Sequence, residues 1–583
     1  MRGFRPALPL VLLALVFLAH GATLHHPFHF DDGNFVVSNS AIHTPANLMK
    51  IWTSSTYTST LPENRAYRPL TTFVHSLAWI AGGGAPWPFH LLKLLLHAGV
   101  CLLLFGVWKR IWNIPGFFPV PGPRLRFRWR GRELDLELTA GRAAAGLALV
   151  FAIHPANSEI VNYISADTTL LAGFFYLGAY YLYMRFREAT RGGAYLLGSL
   201  VLYGLSMLAK EEGITLVAVI ALTELLLPWP WPPADRKKAG KAVAAYALIA
   251  ALGGLLIWRM LSGLPDGSGG LGRWPYFMTQ WRAYIHYMKL LFWPWALNAD
   301  NLEFGFSASI RETQVLSALV ANGLLLVWAW LMRRRYPVLL FCLLWFYVAV
   351  SPTSSIVVLA EPVNDRRMYI AYFGLVGAAF PFALRLLQSL CEAAGAQPRG
   401  LASGPAAALA FVALLAGTEA RNHTWSSYER LWLDTVEKNP HSGRAINNLL
   451  VHYMGQGDWD RSRDLLDRCE ALAPNYSPCK TNRAVVLVAT GRDAEADEAF
   501  RRAIAVDPSP SGKFSYAEYL ERRDRLGEAL QLYREIDMAT AETNLDAKLG
   551  WARLVEKLGH PVEAKAIRDA ARAKFGDHPR IPR

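Results

Sequence analysis

The chain has 583 residues, 53% of them hydrophobic and 18% charged, with a mean hydropathy of +0.18 and a net charge of +14. Lys and Arg collect in alternate loops, as the cytoplasmic loops of membrane proteins require, so we interpret the positive charge as a topology signal and expect no nucleic-acid partner. Five cysteines are too few for a disulfide-rich scaffold.

The composition changes near residue 420. Before this point the chain is a series of apolar runs of roughly 15–23 residues, each about the length that crosses a bilayer. After it the sequence is polar and charged. The sequence therefore predicts an all-α protein, with a polytopic membrane domain over 1–419 and an extracytoplasmic domain over 420–583. Eleven spans are predicted near 7–24, 88–110, 141–155, 166–185, 193–209, 213–228, 239–261, 312–332, 336–350, 369–390 and 402–419.

The N-terminal segment has a basic start, an apolar centre and small residues after it, which fits either a cleaved signal peptide or an uncleaved anchor. An uncleaved anchor gives an odd number of spans, with the N-terminus and the basic loops inside and the C-terminal domain outside. Segments 69–83 and 276–295 are apolar, but crossing would break the charge alternation. We expect both to form helices at the outer membrane interface.

The loop after the first span, HHPFHFDDGNFVVSN over residues 25–39, carries two adjacent carboxylates, Asp31 and Asp32. Aromatic and histidine side chains surround them at a membrane surface. The pKa of a carboxylate at an apolar boundary is easily tuned for acid–base work. The same residues also fit a solvated loop with an Asx turn, and this stretch alone does not decide between the two.

The inner loop RLRFRWRGRELDLEL over residues 124–138 alternates charged and apolar residues, which is the period of a strand. A two-residue turn at Gly131-Arg132 would place Arg126 opposite Glu137 and Arg128 opposite Asp135. We expect an amphipathic β-hairpin on the cytoplasmic surface, with a structural role.

The predicted outer side collects charges of both signs next to apolar runs. A charge this close to hydrocarbon is a functional candidate by default, although a solvated loop or a structural ion pair explains any single one. These residues are Glu63, Arg65, Arg68, His154, Glu159, Asp167, Lys210, Glu211, Glu212, Glu361, Asp365, Arg366 and Arg367.

A 34-residue period begins after Glu419. Asn439-Pro440, Ala473-Pro474 and Asp507-Pro508 recur at intervals of 34, and Gly457 and Gly491 have the same spacing. Small and large residues repeat in the same frame, as in tetratricopeptide repeats. We predict an α-solenoid, with a leading half-repeat over 420–440.

Cys469 and Cys479 fall in this frame, late in the second helix of one repeat and at the start of the next helix. The two helices pack against each other, and the predicted side is one where disulfides persist. A disulfide here and a pair of free thiols are both compatible with the sequence. Our hypothesis is a disulfide.

The order and spacing of these landmarks resemble the transmembrane and tetratricopeptide-repeat-containing O-mannosyltransferases and their bacterial relatives, within the C-type (GT-C) glycosyltransferases. The likeness covers nearly the whole chain. It rests on Asp31-Asp32 with Asn39, the YRPLT stretch Tyr67–Thr71, Phe89-His90 with His97, His154-Pro155, Lys210-Glu211 with Gly213, Asp365-Arg366 with Tyr369 and Gly374, and Arg421-Asn422 with Trp425.

The resemblance implies an inverting transfer of a sugar from a polyprenyl-phosphate donor to a protein Ser/Thr hydroxyl. Asp31 would be the base, Asp32 would tune or orient it, and Arg366, Lys210 and Arg68 would hold the donor phosphate. The expected pocket is formed by Glu63, Tyr67, His90, His97, His154, Glu159, Glu211, Asp365 and Tyr369.

Three residues depart from the family pattern: Ser165 stands in place of Arg, Lys93 in place of Asn, and Asp365 in place of Glu. The donor sugar therefore stays open. So do transfer to a lipid or envelope polysaccharide, and a non-catalytic membrane-anchored scaffold. We expect no cofactor and find no convincing metal ligand set, although a divalent metal is possible. The expected location is a bacterial inner membrane with periplasmic repeats. We expect these repeats to engage the acceptor protein.

Overall fold

The computed structural model describes residues 7–60, 64–118, 122–129, 132–227, 235–262, 272–301, 304–356, 358–359, 361–393, 403–474, 476–539, 544–575 and 581. The chain forms two compact units. The membrane unit comprises Met1–Phe28, Tyr67–Ala299 and Phe304–Ser426, and the repeat unit comprises His29–Ala66, Asp300–Glu303 and Ser427–Arg583. The predicted boundary at 419/420 stays a prediction.

Fourteen helices of the membrane unit lie in the described residues. They are α1 (Ala7–His20), α2 (Pro69–Gly82), α3 (Trp87–Trp112), α4 (Ala140–Ala152), α5 (Ser158–Asn162), α6 (Asp167–Glu188), α7 (Gly193–Ala209), α8 (Leu216–Leu226), α9 (Asp235–Leu261), α10 (Arg273–Phe292), α11 (Thr313–Met332), α12 (Pro337–Ser351), α13 (Tyr369–Ala393) and α14 (Ser403–Thr424).

Seven helical segments in the described residues are long and apolar enough to cross a membrane, and α4 with the bent segment after it makes an eighth. The chain is an integral membrane protein. Fewer segments meet this criterion than the eleven spans predicted, because α7 has only 17 residues and α8 only 11. Tyrosines lower the hydropathy of the longer α6, whose Tyr176, Tyr180 and Tyr183 are buried in the unit.

Segments 69–83 and 276–295 are helical, as predicted. α2 has 14 residues and begins at Pro69, a residue suited to the first turn of a helix because it needs no N–H partner there. At about 1.5 Å per residue α2 is too short to cross a bilayer. α10 has 20 residues and is not among the span candidates. Their place at the interface stays a prediction.

α1 packs by one face against the rest of the membrane unit. Leu12, Val16 and His20 are buried, and the Asn422 side-chain amide of α14 donates to the Ala19 carbonyl at 2.6 Å. The His20 ring lies 3.3 Å from the Ala152 carbonyl. Hydrogen bonds inside an apolar bundle are costly to lose, so they fix α1 to its neighbours.

The loop between α3 and α4 forms the predicted hairpin from β1 (Arg124–Trp129) and β2 (Arg132–Glu137), but the predicted register is wrong. Arg126 is opposite Asp135 and Arg128 opposite Glu133, and the two-residue connection is at 130–131, outside the described residues. The register differs from the prediction by two residues. Because side chains alternate with a period of two, this shift keeps arginines opposite carboxylates and apolar residues opposite each other.

The repeat domain is the predicted solenoid of paired helices. Its helices are α15 (Tyr428–Lys438), α16 (Gly443–Gln456), α17 (Trp459–Leu472), α18 (Ser477–Ala489), α19 (Asp493–Val506), α20 (Pro510–Arg522), α21 (Leu526–Ala539), α22 (Leu545–Lys557) and α23 (Pro561–Phe575). Gly457 and Gly491 end first helices with positive φ angles of 74° and 76°, which glycine adopts without steric cost. The all-α fold class is confirmed.

Cys469 and Cys479 form a disulfide, with Cα atoms 6.4 Å apart. Both residues are buried, in the core between α16, α17 and α18. The disulfide hypothesis is therefore confirmed, and the alternative of two free thiols is not.

Candidate active site

The predicted catalytic carboxylates lie in the repeat unit, in a turn that we call the carboxylate turn (residues 29–35). Asp32 is fully buried, and its Oδ2 accepts a hydrogen bond from the His29 backbone N–H at 2.8 Å. The carbonyl of Asp31 accepts from the N–H groups of Asn34 and Phe35 at 2.9 and 2.8 Å. Asp31 itself is half-buried. The buried Asp32 therefore orients the backbone beside the more accessible Asp31, and the catalytic roles of both stay predictions.

The residue before the two carboxylates is strained. Phe30 has a φ angle of 46°, in the left-handed region that non-glycine residues rarely adopt. Such a conformation costs on the order of 1–2 kcal/mol and persists only where surrounding contacts hold it. The Phe30 ring packs edge-on against Trp432, with centroids 4.6 Å apart.

Asn39, the third residue of the family-like motif, closes the loop that follows. Its side-chain amide donates to the carbonyls of Phe35 at 3.2 Å and Tyr57 at 2.8 Å. The Asn34 carbonyl also accepts from the Thr60 N–H at 3.2 Å. This asparagine therefore has a structural role in holding the loop.

Two of the three predicted phosphate-binding cations meet carboxylates at the end of α7 in the membrane unit. Arg68 binds Glu211 through two hydrogen bonds of 2.6 and 3.0 Å. The Lys210 ammonium lies 2.9 Å from Glu212 and donates to the Thr169 hydroxyl at 2.9 Å. The sequence Lys-Glu-Glu at an abrupt helix end places these groups side by side, because the backbone turns there without a loop.

In these two ion pairs, burial and the charge of the partner shift the pKa of each group in opposite directions. Burial alone would raise the pKa of the Glu211 carboxyl, but Arg68 outweighs it and lowers the pKa to about 2. Burial lowers the pKa of the Lys210 ammonium, against the attraction of Glu212. Both carboxylate and guanidinium are therefore ionised at neutral pH.

The third cation, Arg366, is held by α5 and the loop before α13. Its Nη1 lies 2.9 Å from Glu159, its Nη2 lies 3.9 Å from Glu361, and its guanidinium stacks 5.0 Å from the Tyr163 ring centroid. The positive charge of Arg366 is close enough to Arg68 to lower the pKa of the Arg68 guanidinium. The attraction of Glu211 is stronger, so the pKa is raised overall. The three predicted cations thus form one cluster in the membrane unit.

Asp365, which is predicted to line the pocket, pairs with a histidine of α10. Its carboxylate lies 3.2 Å from the His286 ring of α10 and accepts from the Asn298 N–H at 3.3 Å. The sequence analysis did not single out His286. His286 lies on α10, 79 residues away from Asp365 in the chain, and no local sequence pattern indicates that the two side chains meet.

The predicted pocket histidines are buried and hydrogen-bonded to backbone. His90 contacts the His26 carbonyl at 3.2 Å, and His154 contacts the Leu291 carbonyl at 3.0 Å. His97 lies 2.8 Å from the Tyr369 hydroxyl and 3.3 Å from the Ala152 carbonyl. Tyr67 is buried as well. Glu63 lies outside the described residues.

The sequence analysis missed a buried triad in the membrane unit. Asp167 at the start of α6 lies 2.9 Å from the Lys93 ammonium and 3.4 Å from the His75 ring, and all three side chains are almost fully buried. Lys93 also donates to the carbonyls of Tyr163 and Ile164. A lysine in the middle of the apolar helix α3 was the available signal, since such a charge requires a buried partner.

No group of three or more histidine, cysteine or acidic side chains with metal-binding geometry occurs among the described residues. The carboxylates near the cation cluster are instead paired with Arg and Lys. The question of a divalent metal stays open.

The chain is similar to proteins named protein O-mannosyl-transferases, and no family model matches it. Human TMTC4 is 30% identical over 210 residues, which are 34% of this chain and 27% of the relative. Human TMTC3 is 23% identical over 37% of this chain and 21% of the relative. Drosophila melanogaster Tmtc3 is 21% identical over 84% of this chain and 57% of the relative. The resemblance seen in the sequence is confirmed, and the chain spans about a quarter of the first of these relatives.

Two solved structures are also similar. The Archaeoglobus fulgidus oligosaccharyltransferase AglB, solved with an inhibitory peptide and a dolichol-phosphate, is 13% identical with a TM-score of 0.38 and covers 76% of this chain and 59% of its own. Yeast Tom70 is 9% identical with a TM-score of 0.24 and covers 74% of this chain and 81% of its own.

Proposed function

We propose that this protein is an inverting glycosyltransferase that moves a sugar from a polyprenyl-phosphate donor to a Ser or Thr hydroxyl of a protein. The observation that carries the proposal is the similarity to protein O-mannosyl-transferases, which extends over 84% of the chain in one relative. Buried charges of both signs in a membrane protein, next to apolar helices, support it.

In the proposed reaction the acceptor hydroxyl oxygen attacks the anomeric carbon of the donor sugar. The bond from that carbon to the phosphate oxygen breaks, and the lipid phosphate leaves with the electron pair. The Asp31 carboxylate takes the hydroxyl proton, and Asp32 keeps the turn in place through the His29 N–H. One displacement inverts the anomeric carbon, by analogy with direct attack in glycoside chemistry.

The leaving phosphate needs cations at the moment the bond breaks. Arg68, Lys210 and Arg366 supply them, and each of the three lies beside a carboxylate. The donor phosphate joins or replaces these carboxylates as the anionic partner. Arg is suited to this exchange because its planar guanidinium binds phosphate and carboxylate with the same bidentate geometry.

The proposed orientation places the repeat unit outside the cytoplasm. The disulfide in the repeat unit supports it, since disulfides persist in oxidising compartments. Introduced cysteines at 25–60 and 476–539 should react with a membrane-impermeant maleimide from outside, and cysteines at 112–118 should not. The reverse pattern would place the repeats in the cytoplasm.

The activity is tested by mass spectrometry of envelope proteins and glycolipids from cells with and without the gene. We expect hexose-modified Ser/Thr peptides to disappear without the gene. Loss of a glycolipid alone, with all glycopeptides kept, would favour the lipid or polysaccharide acceptor instead. No change in either fraction would favour the scaffold.

Complementation with Asp31→Asn should restore the protein in the membrane but reduce turnover at least about a hundredfold, because the base is lost. The matched control is Asp460→Asn, the same change at a side chain that is 88% exposed on α17. Near-normal transfer by Asp31→Asn would move the role of base to another residue.

A further inference from the structure

We propose that the first helix of the repeat unit, α15, positions the carboxylate turn for catalysis, with Trp432 and Tyr428 as the positioning residues. The inference rests on the proposed function for its kinetic consequence, but its structural part stands on contacts within the repeat unit alone. It assigns the repeats a role in building the active site, beyond any role in engaging the acceptor.

Trp432 and Tyr428 lie four residues apart on α15, so they share one face of the helix. The Phe30 ring meets Trp432 edge-on at 4.6 Å, and the His29 ring stacks on Tyr428 at 6.4 Å with an interplanar angle of 14°. Two consecutive residues of the turn thus contact two residues of one helix face. The two ring contacts together fix the direction of the chain immediately before Asp31.

The strained backbone makes this contact necessary. Phe30 is in the left-handed region, with a φ angle of 46°, and in a free loop the chain would relax from it. Packing of its ring on the fully buried Trp432 holds it there. Without the tryptophan ring, Phe30 loses the contact that offsets its strain.

The strained residue sets the geometry of both carboxylates. With Phe30 in this conformation, the His29 N–H reaches back to Asp32 Oδ2 at 2.8 Å, and the Asp32 N–H reaches the His29 carbonyl at 2.9 Å. These bonds close a tight turn in which Asp31 lies between two fixed neighbours. Relaxation of Phe30 would break the turn and let Asp31 move, and a displacement of about 1 Å is enough to cost up to a hundredfold in rate.

Trp432 in turn belongs to the core of the first repeat. It shares one buried cluster with Ile446 and Leu449 of α16 and with the two disulfide-bonded cysteines, and Phe30 is partly buried against the same cluster. The carboxylate turn therefore rests on a continuous apolar core that includes the first complete repeat. A disturbance of this core therefore reaches the turn through Phe30.

The test uses the full-length protein in nanodiscs containing a polyprenyl-phosphate sugar. Trp432→Leu should lower kcat at least about tenfold and leave the KM for the donor within about twofold, because the donor-binding cations are untouched. Hydrogen exchange of the amides at 29–35 should accelerate at least about tenfold. Trp432→Phe, which keeps an aromatic ring, should recover most of both effects.

The matched control is Trp551→Leu, the same change at a partly buried tryptophan of α22 in the same unit. It should change neither kcat nor exchange at 29–35. Phe30→Ala removes the other partner of the contact and leaves the solenoid helices intact, so it decides the matter if Trp432→Leu does not fold.

Unchanged kcat and unchanged exchange at 29–35 in Phe30→Ala would overturn the proposal. So would an equal loss of kcat in Trp551→Leu, since it would show a general effect of solenoid stability. A wild-type protein that transfers no sugar would refute the proposed function, while the exchange measurement would still decide whether α15 holds the turn.

Discussion

Two ion pairs, one in the membrane unit and one in the repeat unit, use charged side chains in opposite ways. In the membrane unit, Lys93 and Asp167 pair with no exposed side-chain surface. In the repeat unit, Arg463 and Asp460 pair with 55% and 88% of their side chains exposed. The same kind of ion pair is therefore made in a low dielectric in one case and in water in the other.

This difference in exposure decides how much free energy is lost when an ion pair is broken. Taking a lysine and an aspartate out of water costs several kcal/mol per ion, so breaking such a pair leaves a charge with no compensation. An exposed pair exchanges one partner for water at little cost. Isolated charges in apolar helices are therefore the informative ones, and the many ion pairs of the solenoid surface mainly keep it soluble.

Lys93→Met should give the largest effect on stability, since it removes the ammonium that faces the buried Asp167 carboxylate. We expect a loss of about 3–5 kcal/mol, measured by thermal unfolding in detergent. The double variant Lys93→Met/Asp167→Asn removes both charges and should recover most of the loss. Equal destabilisation by the single and double variants would show that shape, and not charge, holds α3 to α6.

The disulfide between Cys469 and Cys479 closes a loop with a sequence separation of 10. A loop of this size contributes about 2–3 kcal/mol by restricting the unfolded chain. Cys469→Ser should therefore accelerate hydrogen exchange in α17 and α18 by about thirty- to a hundredfold. Exchange in α22 should not change by more than about twofold, because repeats interact mainly with their neighbours. A uniform acceleration over all repeats would contradict this.

The Arg68–Glu211 pair lies between the two extremes, with side chains 20% and 28% exposed. The folded-state pKa of Glu211 is about 2, below its ordinary value of 4.5. The pair therefore contributes stability that is complete above about pH 4.5 and is lost as the pH falls toward 2. After allowance for its partial exposure, this contribution is about 2 kcal/mol.

Arg68→Leu should reverse the sign of this pH dependence. Without the guanidinium, burial raises the pKa of Glu211, so the carboxylate destabilises the fold at neutral pH and stability returns as the carboxyl protonates. The difference in Tm between wild type and variant, followed from pH 7 to 3, isolates this group from other carboxyls. Arg68→Lys keeps the charge and should follow the wild type, and parallel curves for Arg68→Leu and wild type would contradict the assignment.

The features that could be predicted from sequence are those with a local period. The 34-residue spacing of Pro440, Pro474 and Pro508 predicted the helix pairs of the solenoid. The alternation of charged and apolar residues predicted the hairpin, although the predicted register differs by two residues. Apolar runs gave the membrane helices. In each case the pattern runs along one continuous stretch of the chain, so residues of that stretch carry the information.

Features that depend on distant residues were not predictable. Phe30 and Trp432 are 402 residues apart in the chain, and no sequence pattern around either residue indicates their contact. Asp167 and Lys93 were both visible as charges, but their pairing was not. The site residues could therefore be named from sequence, whereas the ion pairs that neutralise the cations and the strained turn before Asp31 required the structure.

The smallest effect is expected at Arg483, which ties α18 to α17 at the same junction as the disulfide. It binds Glu470 with hydrogen bonds of 3.0 and 2.7 Å and Asp467 with one of 2.7 Å, a geometry as good as that of Arg68 with Glu211. Its side chain is 27% exposed, but those of its partners are 39% and 70% exposed, so water and salt screen the pair.

Arg483→Met should cost about 0.5–1 kcal/mol of unfolding free energy in 20 mM salt and less than half of that in 0.5 M salt, because the Debye length falls to about 4 Å. A double-mutant cycle with Glu470→Gln, read as hydrogen exchange in α17 and α18, isolates the pair from the lost packing of the arginine stem. A salt-independent coupling above about 2 kcal/mol would show that good geometry compensates for exposure, and the contrast between the two units would then depend on geometry and not on solvent.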